Sequence, residues 1–374
     1  MKKILVTGSN GFIGRNLCSK LKIDKDIELL EFDLNNTLDD LKKWVEQADV
    51  IYHLAGINRP KDDTEFNSGN VTLTEILAKQ IVNSKKTPRL ILSSSIQADL
   101  DNPYGKSKLK SEKIVATLSK KNDAAVSIYR LKNVFGKWSK PNYNSVVATF
   151  CHNIARDLPI DISNVQAEID LVYIDDVVSA MLSEMENKNS NSIYVSPDLI
   201  KSHRISLGEL AQKLNFFRKM QETLQIPNFG EPFDRQLYAT YLSYVPPQSW
   251  EYGPDVRADT RGDLAELLKS QSFGQIFVSR THPGIVRGNH FHETKVEKFI
   301  VIKGTALIRF RQINSEEVIE FQIEGVDYRI VDIPPGYTHS IENVGDDELI
   351  TLFWASEIFN PEAPDTNFMS VLNN

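Results

Sequence analysis

The N-terminal part of the chain alternates short apolar runs with longer amphipathic segments. Apolar runs predict strands at residues 3–7, 27–32, 50–54, 89–93 and 125–130, and helical periodicity predicts helices at 11–22, 38–47, 71–84 and 104–120. Each crossover between parallel strands usually needs a helix, so this alternation predicts a parallel sheet covered on both faces. The expected fold of this part is an α/β doubly wound domain.

The texture changes after Phe273, where strands follow one another with almost no helical periodicity. Apolar runs predict strands at residues 274–280, 298–302, 306–311, 317–323, 328–333 and 348–354. Closely spaced strands of this kind indicate an antiparallel barrel or sandwich. Because Pro246-Pro247 breaks any helix between the two parts, we expect one domain over residues 1–245 and a second over 246–374.

Composition limits the possible partners. A chain of 374 residues is long enough for two domains, and its formal net charge of -7 provides no general attraction for nucleic acid. The apolar run after Met1-Lys2-Lys3 stops at Thr7, which is too short for a signal peptide, and no run approaches the roughly 18 residues of a membrane span. Cys18 and Cys151 are too few for a disulfide framework. The sequence predicts a cytoplasmic protein with no nucleic-acid or membrane partner.

Three glycines follow the first predicted strand and open the first predicted helix. Gly8 permits the tight turn, Gly11 allows close approach of a pyrophosphate, and Gly14 allows the helix to pack on the strand. The helix N-terminus then presents free N–H groups and a positive dipole end to phosphates. This arrangement indicates a Rossmann-like dinucleotide site.

The GxxGxxG spacing resembles the short-chain dehydrogenase/reductase superfamily, in particular its extended sugar-nucleotide branch. Tyr104 and Lys108, four residues apart on one helix face, resemble its YxxxK pair. The resemblance implies that Tyr104 exchanges the proton at the substrate oxygen, while Lys108 holds the cofactor ribose and lowers the Tyr pKa. Ser95 resembles the catalytic serine of the family, with Ser94 as the alternative.

The same resemblance implies a set of cofactor-binding residues. His53–Gly56 resembles the segment that lines the cofactor, 130–136 the segment beside the nicotinamide, and 170–177 a late helix entry. The implied cofactor contacts are Gly8, Asn10, Gly11, Phe12, Ile13, Gly14, Arg15, Asp33, Leu34, Leu54, Ala55, Gly56, Tyr104, Lys108 and Leu131. Asp33 either holds a ribose hydroxyl, which implies NAD, or lies by the adenine, whereas Arg15 suits a 2′-phosphate. We expect NADPH, with NADH still possible.

The second part carries a candidate metal site. His290 and His292 lie two apart on a strand and therefore project the same way, and Glu297 and His339 would complete three imidazoles and a carboxylate. Such a set suits one divalent Zn, Fe, Mn or Ni ion, with Zn mildly favoured, whereas His-x-His by itself would favour a hydrogen-bonded core pair. Residues 284–304 match the first cupin motif, G-x5-H-x-H-x4-E-x6-G, and 334–343 resemble the second, which expects a glycine where Tyr328 stands.

An extended reductase fused to a cupin resembles a group of bifunctional capsular-polysaccharide enzymes. The resemblance implies a homodimer that acts on UDP-2-acetamido-2,6-dideoxy-4-keto-hexose, with C3 epimerisation in the cupin and NADPH reduction of the C4 ketone in the reductase. The implied product is a UDP-N-acetyl-L-talosamine-type 6-deoxy sugar on the route to UDP-N-acetyl-L-fucosamine. A C3 proton is removable only while C4 is a carbonyl that can delocalise the carbanion, so epimerisation must come first.

Three alternatives stay open. A 4,6-dehydratase is disfavoured because Ile96-Gln97, rather than an Asp-Glu pair, follows Ser95. A C4 epimerase would retain its cofactor instead of consuming NADPH. A cupin that only dimerises the protein or binds sugar would leave the reductase as the sole activity.

Other candidate residues are grouped by role: His282, Tyr337 and Lys298 as the cupin base, Arg59, Lys137 and Arg156 as cations for UDP, and Arg59 and Asn133 as substrate contacts.

Overall fold

The computed structural model describes residues 1–60, 62, 64–122, 124–186 and 193–372. These residues divide into two units: Met1–Asn215 with Arg235–Pro246, and Phe216–Asp234 with Pro247–Asn374. Residues 216–234, which were expected in the first domain, thus group with the second unit. Among the described residues, no helix is both long enough and apolar enough to cross a membrane.

The first unit is built on a parallel sheet with the strand order β2-β1-β3-β4-β5-β8. The order reverses beside β1, as in doubly wound folds that bind ligands at the carboxyl ends of the strands. The strands are β1 (Lys2–Thr7), β2 (Ile27–Phe32), β3 (Val50–His53), β4 (Arg89–Ser95), β5 (Val126–Leu131) and β8 (Tyr194–Val195).

Both faces of this sheet are buried, as expected from strands that read as continuous apolar runs. Ile4 and Val6 of β1 belong to one core cluster, whereas Leu5 between them belongs to the cluster on the other face. Helix α2 (Leu38–Gln47) begins with a capping box, in which Thr37 and Asp40 exchange hydrogen bonds. The predicted fold is therefore confirmed.

Helices cover the sheet. The segments that follow β5 in the chain form a small second sheet of order β6-β7-β9. A π-helical turn at Asn67–Thr72 runs directly into α4. The remaining elements up to Leu242 are α1 (Phe12–Leu21), α2 (Leu38–Gln47), α3 (Thr64–Phe66), α4 (Leu73–Asn83), α5 (Pro103–Asn122), β6 (Asn133–Phe135), α6 (Val146–Ile154), β7 (Glu168–Tyr173), α7 (Ile174–Glu186), β9 (Ser202–Ser206), α8 (Leu207–Thr223) and α9 (Pro232–Leu242).

From Val256 on, the second unit is an all-β cupin barrel of two antiparallel sheets, ordered β10-β11-β12-β19-β14-β17 and β16-β15-β18-β13-β20. The sequence pattern predicted that the strands begin after Phe273, but the first strand of the barrel begins at Val256. The strands are β10 (Val256–Asp259), β11 (Gly262–Ser270), β12 (Gly274–Thr281), β13 (Val286–Phe291), β14 (Glu297–Lys303), β15 (Thr305–Gln312), β16 (Val318–Glu324), β17 (Ile330–Ile333), β18 (Tyr337–Asn343), β19 (Leu349–Ala355) and β20 (Asn367–Phe368).

An apolar core fills the barrel beside its polar side chains. Phe299, Phe310 and Phe353 are buried members of this core, and Phe277 stacks on Phe353 with ring centroids 4.6 Å apart. Phe299 and Phe310 also approach the ring of His339, at 5.8 and 6.3 Å between centroids. The aromatic core therefore forms the floor under the predicted metal ligands.

Candidate functional sites

The glycine loop after β1 is shaped by contacts that a side chain would prevent. Gly8 has φ +71°, and a Cβ there would lie 2.7 Å from backbone atoms of Ala55. A Cβ at Gly14 would lie 2.0 Å from the carbonyl oxygen of Gly8, which is closer than any real contact. Gly14 thus lets α1 pack against the turn, as the sequence predicted.

The N-terminus of α1 is open toward this loop. Its N-cap is Gly11, which has no side chain to satisfy the first N–H groups. Asp33, directly after β2, accepts hydrogen bonds from the N–H groups of Asn10 (2.7 Å) and Leu34 (2.8 Å), and the Leu34 side chain is exposed. The glycine loop, the N-terminus of α1 and Asp33 therefore lie next to one another.

The predicted catalytic residues meet at the end of β4 and the start of α5. The Ser95 side chain lies next to the Tyr104 phenol and lowers its pKa, whereas Ser94 donates to the buried carboxylate of Glu112 at 2.5 Å. Lys108 is buried, and its ammonium donates to the Ser93 carbonyl at 3.1 Å. The structure thus places Ser95, rather than Ser94, beside the phenol.

The electrostatics of this group differ in one respect from the sequence-based expectation. Burial raises the pKa of Tyr104, and its hydrogen bond with Ser95 only partly offsets that effect. The Lys108 pKa is lowered to about 8, because burial outweighs the attraction of Glu112. The expected lowering of the Tyr pKa by Lys108 is therefore absent in the protein by itself, where the ammonium is bonded to Ser93.

Asn70 connects the predicted cofactor-lining segment to helix α5, which carries Tyr104 and Lys108, a contact that the sequence did not indicate. Its amide accepts from the Ile57 N–H (2.7 Å) and donates to the Ile57 carbonyl (3.0 Å) and to Ser107 Oγ (2.9 Å). A Cβ added at Gly56 would lie 3.3 Å from Lys108 Nζ. Gly56 and Lys108 are therefore neighbours, and Asn70 lies in a π-helical turn of a kind that often marks functional sites.

Arg15 is exposed on the first turn of α1, where it stacks on an aromatic ring. Its guanidinium carbon lies 5.3 Å from the centroid of Trp138, and Lys137 Nζ lies 5.4 Å from the same centroid. Lys137 also forms a 2.7 Å ion pair with Asp175. Two cations therefore lie near the glycine loop, one of them neutralised by a carboxylate.

The four predicted metal ligands converge. His290, His292, Glu297 and His339 each offer a ligand atom within 4.8 Å of the others. His290 on β13 stands opposite His339 on β18, and Glu297 begins β14 in the other sheet. His292 and His339 are fully buried and His290 is partly buried. The barrel thus brings together residues separated by up to 49 positions.

The chemistry of these atoms fits a cation. His292 Nδ1 donates to the Asp365 carbonyl at 2.5 Å, and His339 Nδ1 donates to that of Tyr337 at 3.3 Å. Both Nε2 atoms are buried without a hydrogen-bond partner among the described residues. His292 Nε2 faces Glu297 Oε2 at 3.3 Å, so two lone pairs converge where a positive ion would be stabilised.

The pKa shifts of His290 and His339 agree with neutral imidazoles at these two positions. Burial lowers the pKa of His290, and it lowers that of His339 to about 3. Burial raises the pKa of Glu297, but the positive charge of the nearby Lys295 is among the influences that lower it overall. Neutral imidazoles with an ionised carboxylate are the ligand forms that a divalent metal needs.

The other candidates fall into three groups. Lys298 pairs with the Asp332 carboxylate, and His282 is exposed, so neither reaches the ligand cluster through a contact. Arg156 donates to the carbonyls of His152 (3.2 Å) and Tyr244 (2.9 Å) and has a structural role. The expected substrate contacts Arg59 and Asn133 are exposed.

Two residues near the metal ligands were missed by sequence reasoning. Lys295 is buried with Nζ 3.5 Å from Glu297 Oε1, and Asp365 binds the loop that follows His292.

Tyr328, in place of the expected cupin glycine, takes a left-handed conformation with φ 46°. That glycine is typical because such a φ strains other residues, and the exposed Tyr328 tolerates the strain away from the ligands.

Each of the two parts of the chain matches a known protein family. Residues 4–195 match the family described as NAD dependent epimerase/dehydratase family, and residues 257–367 match the polysaccharide biosynthesis C-terminal domain. A protein from Pseudomonas aeruginosa named UDP-2-acetamido-2,6-beta-L-arabino-hexul-4-ose reductase is 45% identical over 99% of both chains.

Solved structures show the same two-domain architecture. The crystal structure of the capsular polysaccharide assembling protein CapF from Staphylococcus aureus superposes with a TM-score of 0.90 and 40% identity, covering 98% of this chain and all of that one. The UDP-glucuronic acid 4-epimerase from Bacillus cereus, at 21% identity and TM-score 0.52, covers 57% of this chain and 82% of its own and shows the fold alone. The resemblance to the fused capsular-polysaccharide enzymes is therefore confirmed, and this chain belongs to the NAD dependent epimerase/dehydratase family, in a two-domain form that ends in a polysaccharide biosynthesis C-terminal domain.

Proposed function

We propose that the chain is a bifunctional enzyme of capsular-polysaccharide biosynthesis that acts on a UDP-linked 4-keto sugar. The cupin epimerises C3 of UDP-2-acetamido-2,6-dideoxy-4-keto-hexose, and the first unit then reduces the C4 ketone with NADPH. The product is a UDP-N-acetyl-L-talosamine-type 6-deoxy sugar. The name of the P. aeruginosa relative, a UDP-linked hexul-4-ose reductase, supports the substrate class.

The observation that carries the reductase is the grouping of Ser95 next to the Tyr104 phenol and Lys108 beside Gly56. When bound, the nicotinamide cofactor supplies a hydride to C4. As C4 is reduced, negative charge develops on the C4 oxygen, and Tyr104 donates its hydroxyl proton to that oxygen. Ser95 donates a hydrogen bond from its hydroxyl to the same oxygen. Lys108 would hold the ribose of the bound cofactor by donating hydrogen bonds from its ammonium.

The cupin proposal is carried by the cluster of three imidazoles and one carboxylate. His290, His292, Glu297 and His339 would hold a divalent ion, of which Zn is the one we propose. When bound, such an ion supplies a Lewis acid that stabilises negative charge on the C4 oxygen after loss of the C3 proton. The buried ring floor of Phe299 and Phe310 keeps water from that side of the cluster.

One experiment tests both steps. The purified protein is incubated with the 4-keto substrate in D2O, first without and then with NADPH. We expect deuterium at C3 without NADPH, and one NADPH consumed per sugar once it is added. A product formed without net NADPH consumption would identify a C4 epimerase instead, and reduction with no deuterium at C3 would make the cupin a structural or sugar-binding domain.

We also propose that the protein is a homodimer and works in the cytoplasm. Cys18 and Cys151 are both buried free thiols, which suits a reducing compartment. Light scattering on the purified protein tests the oligomeric state, since a monomer mass at all concentrations would contradict the dimer.

A further inference from the structure

The last described residues of the second unit are bonded closely to the metal-ligand cluster. We name residues 365–371 the C-terminal strap. Its strand β20 pairs with β13, so that Phe368 stands opposite the metal ligand His290 and Asn367 opposite Phe291. The strap therefore lies along the strand that carries His290 and ends one residue before His292.

Asp365, the first residue of the strap, organises the loop between His292 and Glu297. Its Oδ1 accepts from the N–H of Glu293, and its Oδ2 accepts from the N–H groups of Thr294 and Lys295, each at 2.8 Å. Thr294 Oγ1 adds a fourth bond at 3.1 Å. One carboxylate thus fixes three consecutive backbone groups between two ligands, a larger constraint than an ordinary side-chain contact.

The main chain of the same residue acts on a ligand directly. The Asp365 carbonyl can only accept, so the 2.5 Å contact with His292 Nδ1 requires the proton to be on Nδ1. The lone pair of Nε2 is then directed toward Glu297, 3.3 Å away. Hydrogen bonds from the distal ring nitrogen are a general means of orienting metal-binding imidazoles.

The far end of the strap is anchored, so Asp365 does not belong to a loose tail. The buried guanidinium of Arg311 donates to the carbonyls of Val371 (2.8 Å) and Ser370 (2.7 Å). The N–H of Met369 donates to the Asn289 carbonyl at 2.9 Å. These bonds hold both the strap and the strand before His290 in register.

We propose that Asp365 is a positioning residue for the metal centre: its carbonyl selects the His292 tautomer and its carboxylate sets the loop that places His292 and Glu297 together. This inference rests on the metal centre of the proposed function. The C-terminal strap then raises metal affinity without binding the metal itself, because it holds His292 and Glu297 in position.

The test is zinc affinity, measured in the full chain by competition with a chromophoric chelator. Asp365→Asn keeps the backbone carbonyl but turns an NH2 group toward N–H donors, so we expect zinc affinity to fall by about 10- to 100-fold. Glu362→Gln is the matched control, because it removes the same charge from an exposed side chain three positions earlier. The control should bind zinc as the wild type does.

A second measurement needs no variant and guards against misfolding of Asp365→Asn. In the metal-free wild type, nitrogen NMR of the histidine rings should show the proton of His292 on Nδ1. Wild-type zinc affinity in Asp365→Asn, or the proton of His292 on Nε2, would overturn the inference. If the wild type itself binds no zinc, the proposed metal centre fails, and that outcome is distinct because it appears before any substitution is made.

Discussion

Ser94 donates its hydroxyl hydrogen to Glu112 at 2.5 Å, within the interior of the first unit. Glu112 is fully buried and also accepts from the Arg130 guanidinium, at 2.7 to 3.2 Å. The hydroxyl of Ser94 is thereby committed to a structural network, whereas that of its neighbour Ser95 meets Tyr104. Two adjacent serines at one strand end thus have separate roles.

The first prediction separates these serines. Ser95→Ala should lower kcat for NADPH-dependent reduction by about 10²-fold, because one donor to the reacting oxygen is lost. Ser94→Ala should retain kcat but lower the free energy of unfolding by about 1–3 kcal/mol, because a buried carboxylate loses a partner. Steady-state kinetics and urea unfolding of both variants decide the assignment, and the reverse pattern would transfer the catalytic role to Ser94.

The second prediction concerns the proton donor. Tyr104→Phe should lower the reduction rate by roughly 10²- to 10⁴-fold, because the ring remains but its proton is missing. The fold should be preserved, since the contact of this ring with Phe66, at 5.8 Å between centroids, does not need the hydroxyl. Stopped-flow measurement of NADPH oxidation is the readout, and wild-type turnover in this variant would refute the role of Tyr104.

The third prediction is a pH dependence set by Lys108. Its pKa in the folded protein is about 8, because burial outweighs the attraction of Glu112. The ammonium is lost above that pH, so kcat/KM should fall as the pH rises through about 8. Between about 8 and 10.5 the unfolded chain binds more protons than the folded one, so the contribution of Lys108 to the unfolding free energy should increase with pH.

Kinetics and denaturant unfolding across this range measure both effects. Lys108→Met should lack the stability increase that Lys108 contributes, and its residual reduction rate should have no alkaline limb. A wild-type profile that stays flat well above pH 8 would show that the charge of Lys108 is not required.

The fourth prediction concerns the choice of cofactor. If Arg15, held over Trp138, meets a 2′-phosphate, then Arg15→Ala should raise the KM for NADPH by about 10-fold or more while that for NADH changes little. Lys20→Ala, on the last turn of the same helix, is the matched control and should affect neither. Equal effects of Arg15→Ala on both cofactors would mean that Arg15 is a solvated surface group.

The fifth prediction tests whether the two activities separate. His290→Ala with His339→Ala should lose bound metal and C3 deuterium exchange, because no electrophile then stabilises the charge on the C4 oxygen. Reduction of the unepimerised ketone should persist at a slower rate. Metal analysis and mass spectrometry provide the readouts, and exchange at the wild-type rate would make the metal structural. Size and circular dichroism must match the wild type for the exchange result to be interpreted as mechanism.

Local patterns predicted the regular elements closely. The helix at Leu38–Gln47 has the expected bounds, because a capping box starts it and its apolar residues repeat with helical spacing. The residues 71–84 were predicted as one helix, but the structure begins it with a π-helical turn at Asn67–Thr72. Gly69 packs against Ile57 there, and such a tertiary contact has no signature in hydrophobic periodicity.

The clustering of the four candidate ligands could be predicted, whereas the contacts that hold them in place could not. Histidines two apart and a carboxylate five positions later form a local pattern that predicts three of the four candidate ligands. Asp365 lies 73 residues from His292 and acts through a backbone carbonyl, which every residue has. Similarly, the pairing of Ser94 with Glu112 depends on which way a side chain turns at the end of a strand, and consecutive serines do not encode it.

The extra residue at Asn289 changes the parity of strand β13. The pairing with β18 shifts between Gly288 and His290, and Asn289 has φ 58°, as at a β-bulge. Counting backwards by twos from His290 would turn Val286 inward, yet Val286 is exposed and Arg287 stands opposite the buried Ile341. An alignment or redesign that counts through this strand without the added residue would exchange its two faces.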